Sequence, residues 1–262
     1  MVTGGPAAQR WAQELAAWAI PEDILAAAPT SPWTFPVELF RPAPAPADTP
    51  SRRRALEALP DRGSVLDVGA GGGAACLALV PPAAEVTAVD ERAEMLASLA
   101  DAAGARGVAV TTVEGRWPDV AGDVGPADVV TCHHVLYNVA DAVPFVAALS
   151  SHARRRVVVE ITAVHPQAGL NDLWRHFHGL ERPEGPDVEE AVAVLGEAGA
   201  RPRVERFRRP PRPVTHDRDM LVAFARRRLC LGPDADPEVD RLLGPDAGFL
   251  TTDAACLWWD VA

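Results

Sequence analysis

Short apolar runs alternate with longer helical patterns along most of the chain. Runs that predict strands lie at residues 64–70, 85–90, 108–115, 127–134, 155–162, 201–209 and 253–261. Segments with helical spacing lie at residues 72–80, 92–104, 141–152, 188–199 and 216–244. The central runs are apolar throughout, which is typical of parallel strands buried on both faces. The pattern therefore predicts an α/β fold with a doubly wound, mostly parallel sheet of seven strands.

The N-terminal segment departs from this alternation. Trp11, Leu15 and Trp18 have helical spacing, and proline-rich sequence follows at residues 29–50. We predict that Ser51 caps the helix that opens the main domain. The segment also holds more aromatic surface than an exposed arm should carry, contributed by Trp11, Trp18, Trp33, Phe35 and Phe40. We therefore divide the chain into a helical lid and linker, residues 1–50, and a main domain, residues 51–262.

Composition and charge narrow the choice of partner. The 262 residues include 25 basic and 36 acidic side chains, so the formal net charge is 25 − 36 = −11. A field of this sign repels nucleic acid and anionic membrane surfaces, which favours a small-molecule partner. Ten arginines lie within residues 201–228, but this stretch is poor in aromatic residues that could stack on bases, with Phe207 as the one beside its first arginines. The four cysteines are widely spaced and no apolar stretch is long enough to span a bilayer, so we predict a cytoplasmic protein with no membrane insertion.

The strongest chemical signal is a glycine-rich turn between the first strand and the predicted helix at 72–80. Glycines at positions 69, 71 and 73 let the backbone approach a ligand closely, and a helix start presents unpaired amide donors. Such a turn suits a nicotinamide dinucleotide as well as other nucleotides. Asp67 discriminates between them, because a carboxylate there would repel a pyrophosphate and attract a cationic tail. Asp90 ends the next strand, where an acid can accept hydrogen bonds from ribose hydroxyls.

In this order of motifs the sequence resembles the class I, Rossmann-like S-adenosylmethionine-dependent methyltransferases. The resemblance implies a cofactor site for S-adenosylmethionine, and the residues it places there are Asp67, Gly69, Ala70, Gly71, Gly73, Asp90, Glu91, Gly115, Arg116, Trp117 and Cys132. Trp117 is expected to stack on the adenine. The segment 128–139, "DVVTCHHVLYNV", is similar to the corresponding segment of quinone and related small-molecule methyltransferases.

By the same resemblance, His133 lies nearest the transferring methyl group, and His133 or His134 is a candidate general base for a hydroxyl acceptor. Three adjacent side chains in "CHH" cannot reach one ion, so we predict no metal. An insertion after the fifth strand is expected to line the acceptor pocket through His165, Trp174, His176, Phe177 and His178.

The sequence therefore predicts a methyltransferase that acts on a small molecule. A methyltransferase that modifies RNA or protein is one alternative. A nicotinamide-dependent Rossmann oxidoreductase is another, although Asp67 and the segment after the fourth strand speak against it. A binding module that retains the cofactor pocket without turnover also remains possible.

Overall fold

A computed structural model describes residues 3–33, 46–210, 217–244 and 252–261. Within these residues seven strands form one sheet, in the order β3-β2-β1-β4-β5-β7-β6. The strands are β1 (Ser64–Val68), β2 (Glu85–Asp90), β3 (Val110–Glu114), β4 (Ala127–His133), β5 (Ala153–Thr162), β6 (Arg203–Arg208) and β7 (Asp253–Asp260). The first five strands pair in parallel, and β7 pairs antiparallel with both β5 and β6. This confirms the predicted α/β fold with a mostly parallel sheet of seven strands.

Helices cover both faces of the sheet. The α-helices in the described part of the chain are α1 (Pro6–Ala16), α2 (Glu22–Ala27), α3 (Pro50–Ala58), α4 (Ala93–Gly104), α5 (Ala142–His152), α6 (Asn171–His178), α7 (Val188–Glu197), α8 (Arg218–Arg228) and α9 (Asp236–Leu243). Successive strand residues alternate between two cores. Leu66, Val130 and Val157 pack in the core of α1, α5 and α7, whereas Val65 and Val129 pack in the core of α3 and α4.

A third hydrophobic cluster lies outside the two faces of the sheet. It joins Ile20 of the N-terminal segment to the inward sides of α6, α8 and α9, through residues such as Trp174, Phe224 and Val239. We call this cluster, with its helices, the cap. The predicted lid aromatics Phe35 and Phe40 lie outside the described residues.

The prediction of a helix at residues 72–80, directly after the glycine turn, is wrong. Turns continue to residue 75, and only a four-residue 3-10 helix, Cys76–Leu79, follows. Three consecutive glycines disfavour helix, and Pro81 stops it soon afterwards. The amide donors that a long helix would align at its start are therefore not arranged in that way here.

The predicted cap of α3 also differs from the one observed. Thr49 is the N-cap residue, and its Oγ1 accepts a hydrogen bond from the Arg52 amide at 3.2 Å. Ser51 is the second residue of the helix and is fully buried. The proline at position 50 favours this start, because proline suits the first helical position.

We expect Thr49→Ala to lower the free energy of unfolding by about 1 kcal/mol, because one orphan amide of α3 loses its acceptor. Thr49→Ser retains the hydroxyl and should stay near the parent value. Urea denaturation with an unchanged m-value would measure both variants. An alanine variant as stable as the serine variant would contradict this assignment of the cap.

Candidate active site

Polar side chains from three neighbouring strands share one face of the sheet near its carboxyl edge. Asp67 of β1 is the register partner of Thr131 of β4, and His133 is the partner of Glu160 of β5. Partnered residues of parallel strands point to the same side, and residues two apart along a strand do as well. The pairing therefore brings Asp67, Thr131, His133 and Glu160 together, which the spacing along the chain does not reveal.

Asp67 lies inside the protein and secures the glycine turn. Its side chain accepts hydrogen bonds from Thr131 Oγ1 at 2.8 Å and from the Cys76 amide at 3.2 Å, and the residue is 1% exposed. Burial raises the pKa of Asp67, and His133 and these hydrogen bonds offset the effect only in part. The carboxyl thus links β1, β4 and the segment that follows the glycines.

Asp90 ends β2 at the same edge and is half-buried. Its two oxygens accept hydrogen bonds from the Gly71 amide at 2.8 Å and the Arg92 amide at 3.0 Å. The carboxylate retains further acceptor capacity beyond these two bonds. Asp90 therefore ties the glycine turn to β2 while one side of it stays open.

The end of β3 adjoins Asp90. The Gly115 amide donates to the Asp90 carbonyl at 2.9 Å, and Arg116 lies 3.8 Å from the carboxylate of Glu91. Both of these charged side chains are largely exposed. The predicted cofactor residues from the second and third strands thus form one open group beside the glycine turn.

The turn that follows β4 rests directly on the glycine turn. Gly69 has φ +70°, and a Cβ atom placed on it would lie 2.2 Å from Cγ2 of Val135. Only glycine permits this approach and this backbone conformation. Val135 therefore borders the crevice between the ends of β1 and β4.

The backbone of His134 is left-handed, with φ +61°, and its ring is held from both sides. Nε2 lies 3.0 Å from Oε1 of Glu160, and Nδ1 lies 3.3 Å from the Tyr137 hydroxyl. The Tyr137 oxygen in turn accepts a hydrogen bond from the Thr162 amide. His134 is therefore part of a hydrogen-bonded chain that joins β5 to the turn after β4.

The electrostatics of this chain favour a neutral ring beside an ionised carboxylate. Burial lowers the pKa of His134, and the hydrogen bond to Glu160 raises it in part. The positive charge of Arg209, whose guanidinium lies 3.2 Å from Nε2, lowers the pKa further. Burial raises the pKa of Glu160, but the His134 hydrogen bond and the nearby histidines hold it well below its usual range. A carboxylate only accepts, so the 3.0 Å contact with Glu160 favours the tautomer of His134 with its proton on Nε2, in which Nδ1 accepts from Tyr137. The guanidinium of Arg209 only donates, so its contact with the same Nε2 favours the other tautomer. Burial raises the pKa of Tyr137 to about 12, so its hydroxyl remains a donor.

His133 differs from its neighbours. Its Nε2 is buried and has no hydrogen-bond partner among the described residues, although the residue as a whole is only half-buried. Cys132 points to the opposite face, is fully buried, and burial raises the pKa of its thiol. Of the three side chains in "CHH", His133 is the one with a ring nitrogen left to bind a ligand.

Trp117 lies in the hydrophobic core rather than beside Asp90. Its indole N–H donates to the Phe145 carbonyl at 3.3 Å, its ring contacts His152, and it is 5% exposed. The structure thus does not bring Trp117 together with the open group at the ends of β2 and β3.

The candidate acceptor residues lie in the cap. His165 is buried and stacks on Trp18 with ring centroids 3.8 Å apart, and it contacts Tyr137 edge-on at 6.0 Å. Trp174 is fully buried, and His178 lies 2.7 Å from the Leu229 carbonyl. The structure therefore links His165 to the crevice through Tyr137.

The remaining residues of α6 are placed differently. Phe177 packs partly buried against the cap, whereas His176 is exposed and lies 3.2 Å from Glu238 of α9. His176 is thus on the solvent-exposed side of α6.

Glu160, Tyr137 and Arg209 were not identified from the sequence. A signal for Glu160 was available, because it is the single charge within the apolar end of β5, "VVVEIT". An acid in a strand buried on both faces needs a polar partner. No local pattern could point to Arg209, which follows β6 on the far side of β7 in the sheet.

Two kinds of feature are absent from the described residues. No group of three or more His, Cys, Asp or Glu side chains there is arranged to hold a metal ion. No helix there has both the length and the apolar character needed to cross a membrane.

Known proteins show what this arrangement is similar to. Residues 65–156 match the family described as methyltransferase domain. Among solved structures, the YcgJ protein from Bacillus subtilis has 17% sequence identity and a TM-score of 0.54, covering 80% of this chain and 97% of that chain. A candidate sarcosine dimethylglycine methyltransferase from Galdieria sulphuraria has 14% identity and a TM-score of 0.55, covering 80% and 82%. A candidate methyltransferase from Bacillus halodurans C-125 has 14% identity and a TM-score of 0.51, covering 79% and 96%. These structures share the fold, and no curated protein matches the sequence.

The buried imidazole of His165 gives the cap a pH dependence. Burial and the charges of Arg228 and Arg182 lower its pKa to about 3, against about 6.5 in an unfolded chain. Below about pH 6.5 the unfolded state binds a proton that the folded state does not, so stability falls as the pH falls toward about 3.

His165→Phe retains an aromatic ring beside Trp18 but cannot titrate. Urea denaturation at about pH 7 and about pH 5 should show a smaller loss of stability in the variant than in the parent. Equal losses in both proteins would contradict this account.

Proposed function

We propose that the protein transfers a methyl group from S-adenosylmethionine to a small-molecule acceptor, a function supported by the match of residues 65–156 to the family described as methyltransferase domain. The observation that carries this proposal is the placement of His133. A half-buried histidine whose Nε2 has no partner among the described residues ends β4, the strand next to β1 and its glycine turn. Ligands of open parallel sheets bind beyond the carboxyl ends of such strands.

The residues at this edge suit the cofactor. Asp90 and the left-handed glycines at positions 69, 71 and 73 form one connected turn, and the acid is open on one side. We propose that Asp90 accepts hydrogen bonds from the ribose, with Glu91, Gly115 and Arg116 beside it. When bound, S-adenosylmethionine supplies an electrophilic methyl group on a sulfonium that is already an activated leaving group.

Asp67 has a different part in this proposal from the one its motif suggests. Since it is buried and bonded to Thr131 and the Cys76 amide, it shapes the glycine turn and supplies negative charge beneath the crevice. Such fixed charge can favour a cationic group without direct contact.

The chain's own contribution is to orient the acceptor, exclude water and accept a proton. Fixing two reactants in line can supply roughly 7 to 11 kcal/mol of the barrier in favourable cases. For an acceptor that loses a proton, we propose His133 Nε2 as the general base, because both nitrogens of His134 are already occupied. A base in this position contributes about 10²- to 10⁴-fold.

We propose that residues 1–50 act as a lid over this edge. Trp11 is buried and its indole N–H donates to the Val139 carbonyl at 2.8 Å, in the turn that follows His134. Glu197 of α7 accepts hydrogen bonds from the Gly5, Ala7 and Ala8 amides at the start of α1. Trp18 stacks on His165, so the same segment also reaches the cap.

A small molecule fits the surroundings better than RNA. The arginine-rich segment after α7 is largely occupied by ion pairs, which join Arg206 to Glu189, Arg208 to Asp253, Arg218 to Asp240 and Arg226 to Asp236. These pairs leave little positive charge to follow a phosphate backbone. We propose that the cap, through His165, Trp174, Phe177 and His178, encloses the acceptor. The four cysteines are free thiols, which supports a reducing compartment such as the cytoplasm.

Calorimetry with S-adenosylmethionine and with NAD tests the cofactor, and a panel of phenols, hydroxy acids and amines tests the acceptor. Release of S-adenosylhomocysteine is the readout. We expect S-adenosylmethionine to bind and NAD not to bind, and we expect at least one small molecule to be methylated. Binding of NAD instead, or methylation of total RNA with no small-molecule turnover, would overturn the proposal.

Asp90→Ala should weaken S-adenosylmethionine binding by about 1.5 to 3 kcal/mol, the usual loss for hydrogen bonds to a charged group. Calorimetry measures the dissociation constant, and circular dichroism checks the fold. Glu94→Ala, one turn further on and largely exposed, is the matched control and should bind like the parent. An unchanged dissociation constant in Asp90→Ala would remove Asp90 from the site.

His133→Ala should leave S-adenosylmethionine affinity within about tenfold, or 1.4 kcal/mol, because the ring faces the acceptor rather than the cofactor. Turnover should fall, and the acidic limb of the pH–rate profile should disappear. Steady-state rates across pH, with binding measured separately, distinguish the two effects. A fully active variant that keeps the acidic limb would show that His133 is not the base.

A further inference from the structure

The backbone of His134 adopts a conformation that its residue type disfavours. A non-glycine residue in the left-handed region costs roughly 1–2 kcal/mol and persists where surrounding contacts hold it. Here the His134 amide donates to the Glu160 carbonyl at 2.7 Å, and its ring binds the carboxylate of the same residue at 3.0 Å. Glu160 thus holds His134 through both its backbone and its side chain.

This double contact lies where it can control the crevice. His134 separates His133, at the end of β4, from Val135, which rests on Gly69 of the glycine turn. His133 is the register partner of Glu160, so the same glutamate lies directly across from it. The conformation of His134 therefore sets where Val135 lies relative to His133 and the end of β4.

The charge of Glu160 also decides the state of the ring. An ionised carboxylate only accepts, so at 3.0 Å it favours the tautomer of His134 with its proton on Nε2. It does so against the guanidinium of Arg209, which only donates and lies 3.2 Å from the same nitrogen. That tautomer leaves Nδ1 to accept from the Tyr137 hydroxyl, whose oxygen accepts in turn from the Thr162 amide. With the other tautomer, Nδ1 would become a donor and Tyr137 would have to turn its proton elsewhere.

We propose that Glu160 is a positioning residue for methyl transfer, which acts by fixing the tautomer and left-handed backbone of His134 and so aims His133 into the crevice. The proposal rests on the proposed function, because it assigns His133 to the acceptor. Glu160 itself touches neither acceptor nor cofactor in this scheme. It acts through the hydrogen-bonded chain from Glu160 through His134 to Tyr137.

The test compares Glu160→Gln with Tyr137→Phe. Glutamine has nearly the same shape as glutamate but no charge, and its amide can donate to Nε2, so it no longer selects one tautomer. Phenylalanine removes the hydroxyl that donates to Nδ1 and leaves the Glu160 contact in place. Three readouts apply to the full-length protein: ¹⁵N spectra of the histidine rings, affinity for S-adenosylhomocysteine, and turnover of the acceptor found in the small-molecule panel.

We expect the parent spectrum to show His134 as the neutral Nε2–H tautomer, Tyr137→Phe to preserve it, and Glu160→Gln to show a mixture of tautomers. S-adenosylhomocysteine affinity should stay within about threefold in Glu160→Gln, while kcat falls by about tenfold or more, part of the 10²- to 10⁴-fold that a base supplies. The KM for the acceptor should change less than kcat.

Several results would overturn the proposal. One is a parent spectrum with His134 as an imidazolium or as the Nδ1–H tautomer. Another is a Glu160→Gln protein with unchanged kcat, and a third is a parallel loss of S-adenosylhomocysteine binding, which would indicate a general structural role. If Glu160→Gln does not fold, the parent spectrum and Tyr137→Phe still decide the tautomer. Absence of any turnover in the parent would count against the proposed function, whereas the ring spectra test the Glu160 assignment independently.

Discussion

The central strands are buried on both faces, and this constraint determines where polar chemistry can occur in the molecule. Side chains along β1, β4 and β5 pack between α1, α5 and α7 on one side and α3 and α4 on the other. A polar group in those layers must be hydrogen-bonded, since an unpaired one costs several kcal/mol. Polar groups therefore collect where the strands end, and there they either bond to one another or face a ligand.

The carboxyl edge contains both kinds of group. Asp67 and Glu160 are buried acids whose hydrogen-bond partners lie on adjacent strands and turns. They therefore hold those strands and turns in place and do not themselves face a ligand. Asp90 and His133 remain partly open. This division between inner, fully bonded groups and outer, open ones is what a preorganised site requires, because the inner groups fix the positions of the outer ones.

The N-terminal segment contacts both the cap and the turn after β4. Arg182 donates to the Trp18 and Ala19 carbonyls and lies over the Trp18 and Trp174 rings, 5.2 and 5.0 Å from their centroids. A cation between aromatic faces is attracted by their quadrupoles. Arg182 thus binds the N-terminal segment to the cap, while Trp11 binds it to the turn after β4. The start of α1 is bound in addition to Glu197 of α7, through the Gly5, Ala7 and Ala8 amides.

The sequence by itself determined the order of strands and helices, the glycine turn and the acids at the ends of β1 and β2. These follow from local properties: apolar periodicity, glycine's conformational freedom and the position of a charge at the end of an apolar run. It misjudged the segment 72–80, where three glycines and a nearby proline pair outweigh the apolar spacing. It favoured His133 over His134 only through the family resemblance, because adjacent residues of one type differ only in the direction of their side chains.

Tertiary structure alone decided that distinction. Strand register placed Glu160 opposite His133. The left-handed backbone of His134 then brought its own ring into contact with the same glutamate. It also carried Trp117 into the core, although its neighbours in sequence lie at the open edge. Partners that are 26 residues apart, as His134 and Glu160 are, meet only after the sheet has formed. Such long-range contacts depend on packing and register, which no local pattern of residues encodes.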